Sequence, residues 1–238
     1  MSTRSVPVLL VLVLPLFSAG CATSQAVTEV AQLTSVEPEA RILLMTPDIK
    51  MYTLTVGGVP ELNPDATELA RANFVAAANR HSGVQGTRLV ILDVSAAAQD
   101  PEVGRYERLH GAVALAVQQH HYNAAWKLPS KHGAFDWSLG PGVHELAERY
   151  GADYALFVTY VDKSGSGGRW AFSMFAALAG VAIPTGGQFG FASLVDLETG
   201  KIVWVNQAMA ADVGAGDLKT ANGADKVIDN LLSAMPRG

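Results

Sequence analysis

The chain has 238 residues, of which 49% are hydrophobic and 16% are charged. It carries 17 lysines and arginines against 22 aspartates and glutamates, a formal net charge of -5. This composition excludes a disordered chain and a general nucleic-acid-binding protein. The single cysteine excludes an intrachain disulfide and a zinc site built from several cysteines.

The first 20 residues have the pattern of a cleaved export signal. A single charge, Arg4, precedes an apolar run from Val6 to Phe17. That run suits the hydrophobic region of a signal peptide and is short for a transmembrane helix. The small residues 18–20 and the lone Cys21 follow, and this arrangement resembles the bacterial lipobox. The resemblance implies cleavage before Cys21 and acyl chains on that residue, which together anchor a protein firmly.

The residue after the cysteine adds a prediction about location. Ala22 stands where an Asp would resemble the retention signal of the inner membrane. The resemblance therefore implies a lipid anchor in the outer membrane, with the protein facing the periplasm. The alternative is a plain secreted protein with Ala19 or Gly20 at its cleavage site.

The remainder of the chain predicts a tether followed by one folded domain. Residues 21–39, rich in Ser, Thr, Gln, Glu and Pro, predict the lipidated cysteine and a flexible tether. Residues 40–238 alternate strand and helix signals and end with a hairpin around Gly200. The predicted strands are Arg41–Thr46, Met51–Val56, Arg88–Val94, Asp153–Val161, Gln188–Leu197 and Lys201–Asn206. The predicted helices are Asn63–His81, Asp100–Tyr122, Val143–Tyr150 and Asp217–Met235. These elements predict a single α/β domain, in which helices pack on one mixed sheet.

Hydrophobic spacing predicts which parts of these elements face the core. Strand Arg88–Val94 is expected to be buried and Asp153–Val161 to be central, whereas residues 164–168 are expected to form a flexible turn. The predicted inner face of the first helix is Ala66, Leu69, Ala70, Phe74, Ala77 and Ala78. That of the second is Tyr106, Leu109, Val113, Ala116 and Val117, and that of the last is Ala224, Val227, Ile228, Leu231 and Leu232.

Two stretches carry a further resemblance. Residues Tyr150–Phe157 read Y-G-A-D-Y-A-L-F, and Ala192–Trp204 contains V-D-L-E-T-G-K-I-V-W. Together they resemble the curli-secretion lipoprotein family and the domain similar to the N-terminal domain of TolB. The resemblance implies a TolB N-terminal-like fold. Because the curli channel crosses the membrane with β-hairpins, it also raises the hypothesis that residues 164–190 form a pore-lining insertion in a ring.

Histidines are the first candidates for a chemical site. His144 begins the sequence H-E-L-A-E, in which Glu148 replaces the second histidine of a zinc-protease motif. His110 and His121 lie on one predicted helix, about 16 Å apart along its axis, too far to share a metal ion. We therefore expect no metal and no cofactor.

A long irregular stretch, residues 123–142, is the place where a polar cleft is expected, since loops of that length are often functional. His120, His121, Asp136 and His144 flank it or lie in it. If these four side chains meet, they form a cleft that serves a periplasmic enzyme or a small-ligand-binding protein.

The apolar, uncharged run Trp170–Pro184 (WAFSMFAALAGVAIP) is the least usual part of the sequence. One interpretation is a buried core helix or strand. The other is an exposed docking surface for another subunit or for the membrane interface. In the second interpretation Trp170, Phe172, Met174 and Phe175 form the interface.

These observations favour a lipid-anchored envelope protein with a non-enzymatic assembly, secretion-accessory or interaction role. Its expected partners are outer-membrane lipid, through Cys21, and a second copy of the chain or another envelope protein, but not nucleic acid. The alternative is a periplasmic enzyme or small-ligand-binding protein that uses the histidine-lined cleft near residues 120–144.

Overall fold

The computed structural model describes residues 23–35, 37–84, 86–210 and 216–238, so the signal peptide prediction and Cys21 lie outside the described residues. The described chain forms a mixed sheet of eight strands accompanied by six α-helices, which confirms the predicted α/β class. The strands are β1 (Thr23–Thr28), β2 (Ala40–Leu44), β3 (Asp48–Leu54), β4 (Pro60–Leu62), β5 (Thr87–Ile91), β6 (Tyr154–Gly165), β7 (Gly186–Asp196) and β8 (Ile202–Ala210). The helices are α1 (Pro64–Val84), α2 (Val94–Gln99), α3 (Pro101–Val117), α4 (His144–Tyr150), α5 (Gly167–Leu178) and α6 (Ala221–Leu231).

Strand β6 is the centre of the sheet, as its β-branched and aromatic content predicts. The strand order is β1-β8-β7-β6-β2-β5, with β3 pairing β6 and β4 pairing β3. β6 is antiparallel to β7 along 11 residues, from Tyr154 opposite Asp196 to Ser164 opposite Gly186. The hairpin of β7 and β8 around Gly200 is confirmed.

The other edge of β6 is shared by two strands that follow each other in the chain. β2 pairs with its first part, where Leu44 lies opposite Leu156, and β3 takes over where Asp48 lies opposite Thr159. Both run parallel to β6. β5 lies beside β2, whereas β4 lies beside β3. The outer edges of β2 and β3 are thus covered by two different strands, β5 and β4 respectively.

Helices cover both faces of the sheet and create two hydrophobic cores. α1 and α6 pack on one face, where Phe74, Trp204 and Ile228 are almost completely buried. α3 and α4 pack on the other, around Phe191 and Leu146. Alternate residues of β6 serve the two cores, as the period-2 geometry of a strand requires.

Side-chain caps explain where three helices begin. Asn63 accepts a hydrogen bond from the backbone N–H of Ala66 (3.0 Å), and the side chain of Asp100 accepts one from Glu102 (3.0 Å). Thr220 caps α6 in the same way. Asp100 also accepts hydrogen bonds from Arg149 and from Tyr150, and the Arg149 guanidinium is the main reason that its pKa falls to about 2.

Several expectations need correction. The tether prediction for residues 21–39 differs from the structure at Thr23–Thr28, which forms β1 at the edge of the sheet. Leu69 and Leu109 are 49% and 38% exposed, whereas Thr67 and His110, two and one positions away from them, are buried. Residues 164–168 do not form a separate turn: β6 runs to Gly165, and α5 begins at Gly167.

The predicted buried strand Arg88–Val94 also differs from the observed one. β5 ends at Ile91 and pairs only with β2, so it is an edge strand. Ile91 is 46% exposed. Its apolar sequence is typical of a buried strand. The edge position depends on which strands pair with β5, and a local sequence pattern does not reveal that.

A matched pair of glycine substitutions tests the β7–β8 turn. Gly200 has a φ of +73°, and an added Cβ would overlap the carbonyl oxygen of Gly140. We expect Gly200→Ala to lower the free energy of unfolding by at least about 2 kcal/mol, measured by urea unfolding. Gly57→Ala is the control, because no atom lies within 4 Å of its added Cβ; we expect a change below about 0.5 kcal/mol. Equal effects would contradict the packing described for this turn.

Candidate functional site

Helix α5 is mostly apolar, with Arg169 and Ser173 as its only polar side chains, yet none of its residues is buried. Trp170 and Phe172 are 45% and 48% exposed, and Met174, Phe175 and Leu178 are exposed still more. Such apolar side chains normally lie in a protein core or in a membrane. Because they are exposed here, the run Trp170–Pro184 is a surface of this chain, and the core interpretation is wrong.

Helix α5 is nevertheless held in a defined place by Arg169. The Nε and Nη2 atoms of Arg169 donate to the carbonyl oxygen of Pro184 at 2.9 and 2.6 Å, and its Nη1 donates to that of Val56 at 3.3 Å. The Ser166 side chain caps the helix by accepting from the backbone N–H of Arg169 (3.3 Å). One side chain thus joins the start of α5, the segment that leaves it and the β3–β4 turn.

The base of the α5 segment is closely packed. Gly165 and Gly186 lie where β6 leaves the sheet and β7 enters it, and a Cβ on Gly186 would overlap the carbonyl oxygen of Lys163. A Cβ on Gly165 would lie 2.7 Å from the carbonyl oxygen of Thr185. At Gly165 and Gly186 the backbones of the two strands approach so closely that only glycine fits. Helix α5 therefore follows β6 directly at the end of the sheet.

Other exposed apolar side chains lie at the same end of the sheet. The β3–β4 turn contributes two valines, and Val56 is in contact range of Gly168 at the start of α5. Met209, near the end of β8, is 45% exposed. We call this surface the apolar end, defined by Val56, Val59, Trp170, Phe172, Met174, Phe175, Leu178, Val181 and Met209.

Strand β1 also starts at the apolar end. Thr23, the first residue of β1, lies opposite Met209 of β8. Ala210 lies opposite Gln188, near the start of β7 and the end of β6. The strand starts β1 and β7 and the strand ends β6 and β8 therefore share this end of the sheet with α5. Three strand spacings, about 14 Å, separate β1 from β6.

Cys21 precedes Thr23 by two positions in the sequence. Two extended residues span at most about 7 Å, which is short compared with the dimensions of the sheet. None of the described helices is long and apolar enough to cross a bilayer.

The predicted histidine cleft is divided between separate places in the fold. His120 and His121 line a small recess of about 70 Å³ together with Trp137, and His120 Nδ1 lies 2.7 Å from the carbonyl oxygen of Trp126. Asp136 is paired instead with Lys131 at 2.6 Å. His121 is packed edge-on against two aromatic rings, and desolvation lowers its pKa.

His144 lies elsewhere, beside a shallow recess of about 400 Å³ at the amino end of β6. Its Nε2 lies 3.7 Å from Glu148, and Asp153 and Glu198 line the same recess. The four residues thus do not form one cleft. Across the described ranges, no three His, Cys, Asp or Glu side chains are placed to share a metal ion.

His110 is a polar core residue that the predicted helix face omitted. Its Nε2 lies 2.5 Å from Ser193 Oγ, and its ring stacks on Phe157 with centroids 4.1 Å apart. Desolvation lowers the pKa of His110 to about 3. The signal was present, since His110 follows the buried Val103 and Tyr106 at helical spacing. Ser193 has no exposed surface, so this pair joins α3 to β7 and does not present a nucleophile.

The buried imidazole predicts a pH dependence of folding. The folded pKa of about 3 lies below the unfolded value of about 6.5, so the folded state favours neutral His110. Its contribution is complete above about pH 6.5 and is lost as the pH falls toward 3. At about pH 5 the expected loss is about 2 kcal/mol.

His110→Gln removes this titration and keeps a group that can hydrogen-bond to Ser193. We expect urea unfolding at about pH 7.5 and about pH 5 to show a smaller pH dependence for this variant than for the parent chain. His144→Gln is the exposed control and should keep the parent's dependence. A parent-like dependence in His110→Gln would contradict the buried neutral state.

Comparisons with known proteins add a likeness of fold only. No protein-family model matches the chain, and no curated protein matches it. The PelC dodecamer from Paraburkholderia phytofirmans is 12% identical, with a TM-score of 0.39, and the match covers 91% of this chain and 99% of that one. A leucine-to-methionine variant of the PelC dodecamer from the same organism is 11% identical, with a TM-score of 0.38, 88% of this chain and 97% of that one being covered. At these scores the likeness supports no conclusion about function, and the lipobox and TolB-like resemblances stay predictions.

Proposed function

We propose that this chain is a lipid-anchored envelope protein with a non-enzymatic assembly or interaction role, and that its apolar end lies in the membrane interface. One observation carries the proposal: the chain enters the sheet at the same end at which α5 exposes its aromatic side chains. A lipid on Cys21 would hold that end, and no other, against the bilayer.

The sequence before the described residues supports the membrane as the occupant of this surface. The apolar run Val6–Phe17 and then Cys21 precede Thr23, so any membrane attachment of the N-terminal region reaches the fold at the apolar end. Trp and Phe side chains are typical of helices that lie in the plane of the interface. Lys163 and Arg169, at the base of α5, are basic, as is common at the border of such helices.

Helix α5 adds a second membrane contact to the lipid anchor. The several acyl chains implied for Cys21 attach the chain firmly, but they do not set the orientation of the folded body. Each fully buried Phe, Leu or Met side chain contributes about 1.5–3 kcal/mol. Helix α5 thus supplements the lipid and, unlike a lipid alone, fixes the orientation of the body.

The finer parts of the proposal come from the sequence. Outer-membrane location, facing the periplasm, is supported by Ala22 after the predicted lipidated cysteine. The partner is proposed to be another envelope protein or a second copy of the chain, bound through surfaces that the membrane leaves accessible. The histidine-lined cleft, on which the enzymatic alternative depended, is not supported by the positions of its four residues.

Two exposed tryptophans provide a matched test of membrane contact. Trp170 lies on α5 and is 45% exposed, and Trp126 lies in the long loop and is 58% exposed. We expect lipids with brominated acyl chains, in vesicles of phosphatidylethanolamine and phosphatidylglycerol, to quench the fluorescence of the membrane-anchored protein. Trp170→Phe should remove most of that quenching, and Trp126→Phe should leave it, since only Trp170 would contact the acyl region.

Alternative roles for the α5 surface would give different results in these experiments. Quenching that survives in Trp170→Phe would contradict the membrane placement. A discrete oligomer in detergent, in which Trp170 is shielded from both iodide and brominated lipid, would assign α5 to a subunit interface. Leakage of an entrapped dye from the same vesicles would favour the pore hypothesis for residues 164–190.

The anchor itself is tested by the mass of the mature N-terminus. We expect the purified protein to begin at Cys21, with the added mass of acyl chains, because the lipobox resemblance places cleavage there. Cys21→Ser should leave residues 1–20 attached. A mature chain that begins at residue 20 or 21 with a free thiol would instead indicate a plain secreted protein.

A further inference from the structure

A crevice opens at the edge of the sheet where β2 gives way to β3. β5 ends at Ile91, beside Leu44, and β4 pairs only with Tyr52, Thr53 and Leu54. Between β5 and β4, no strand in the described ranges covers this edge of the sheet. A polar cavity of about 370 Å³ and an apolar one of about 290 Å³ meet there and share Thr46, Pro47 and Arg71 as lining residues.

The topology explains why a crevice forms at this place. β2 and β5 are parallel, and the crevice lies beyond their carboxyl ends. Helix α1, which leads into β5, packs on one face of the sheet, whereas α3, which follows β5, packs on the other. Two helices diverge from such a point, and α/β proteins bind small ligands in the gap that results.

The polar cavity contains two opposite charges without partners. Glu107 lines it and is half-buried, and its Oε1 atom has neither exposed surface nor a hydrogen-bond partner. Arg108 lines it too, and its guanidinium makes no hydrogen bond or ion pair within the described part of the chain. The Glu107 side chain makes no hydrogen bond or ion pair within the described residues, so its carboxylate is available to a donor in the cavity.

The other charges of the crevice are already neutralised. Arg71 Nη1 is paired with Glu68 at 2.6 Å, and its Nε donates to the carbonyl oxygen of Pro47 at 3.4 Å. Asp48 is paired with Lys50 at 3.0 Å. The unpaired charges of the polar cavity are therefore one carboxylate and one guanidinium, adjacent in the sequence, beside the hydroxyl-bearing side chains of Thr46 and Thr159.

The neighbouring cavity offers mainly hydrophobic contacts. Its lining is contributed by β2, α1 and the end of β5, and the apolar members are Leu44, Met45, Ala72, Val75, Ile91 and Leu92. An apolar wall next to a few converging polar groups is the usual composition of a small-molecule site.

We propose that this crevice binds a zwitterionic amino acid with an apolar side chain. Its ammonium group lies against Glu107, its carboxylate lies against Arg108, and its side chain enters the apolar cavity. Opposite charges on the ligand match the two unpaired charges of the protein, and charge-assisted hydrogen bonds of this kind are roughly twice as strong as neutral ones. The proposal does not depend on the membrane placement of α5.

Titration calorimetry of the full chain in detergent, with L-leucine and L-phenylalanine as probes, tests the site. We expect saturable binding with a Kd in the micromolar to millimolar range. Glu107→Gln should weaken L-leucine binding at least tenfold and leave N-acetyl-leucine, which lacks the ammonium, unchanged. Arg108→Gln should do the same for L-leucine and leave leucinamide, which lacks the carboxylate, unchanged.

The controls are two exposed charges outside the crevice, and circular dichroism checks the fold of every variant. Glu61→Gln and Arg88→Gln should bind L-leucine like the parent. The analogues alone decide the matter if a crevice variant does not fold, because the parent must bind L-leucine more tightly than either blocked form. Absence of saturable binding by both amino acids, or L-leucine binding that neither crevice variant weakens, would overturn the proposal.

Discussion

Strand β6 determines where the remaining features of this fold can lie. One of its edges is paired with β7 over 11 residues, whereas the other is divided between β2 and β3. The step from one neighbour to the next leaves the crevice, since β5 and β4 each cover only one of them. The far end of β6 carries α5. The pairing of β6 therefore produces both surfaces for which functions are proposed. The crevice lies beside the middle of the strand, and the apolar end lies at its carboxyl end.

On each face of the sheet, a buried polar side chain connects a strand to the helix packed on it. Asn206 has no exposed surface, and its Nδ2 donates to the carbonyl oxygens of Asn230 and Leu231 at the end of α6. On the opposite face His110 meets Ser193. In both cases a buried polar side chain joins a helix to a strand, which fixes the relative position of the two elements. By contrast, the apolar side chains of α5 are packed against neither face of the sheet and remain exposed.

Local sequence signals predicted most of the elements and one surface, but not β1, β4 or α2, and non-local pairing decided the rest. The stripe of α6, the cap of α1 and the turn at Gly200 depend on neighbours in the chain, and each was found from the sequence. The apolar run that became α5 was recognised, but its exposure depends on the absence of a covering element. The crevice at Glu107 carries no motif, because it arises from the register of parallel strands. The histidine cleft failed for the same reason: proximity in sequence did not bring His120 and His144 together.

The edge strand β1 has a consequence for the order of folding. Thr23 and its partner Met209 are 186 positions apart, so β1 leaves the ribosome long before the strand with which it pairs. Closing so long a loop is slow, because its entropy is lost before the contacts are gained. β1 therefore completes its edge of the sheet only after β8 has been synthesised, and their pairing is a late event in folding.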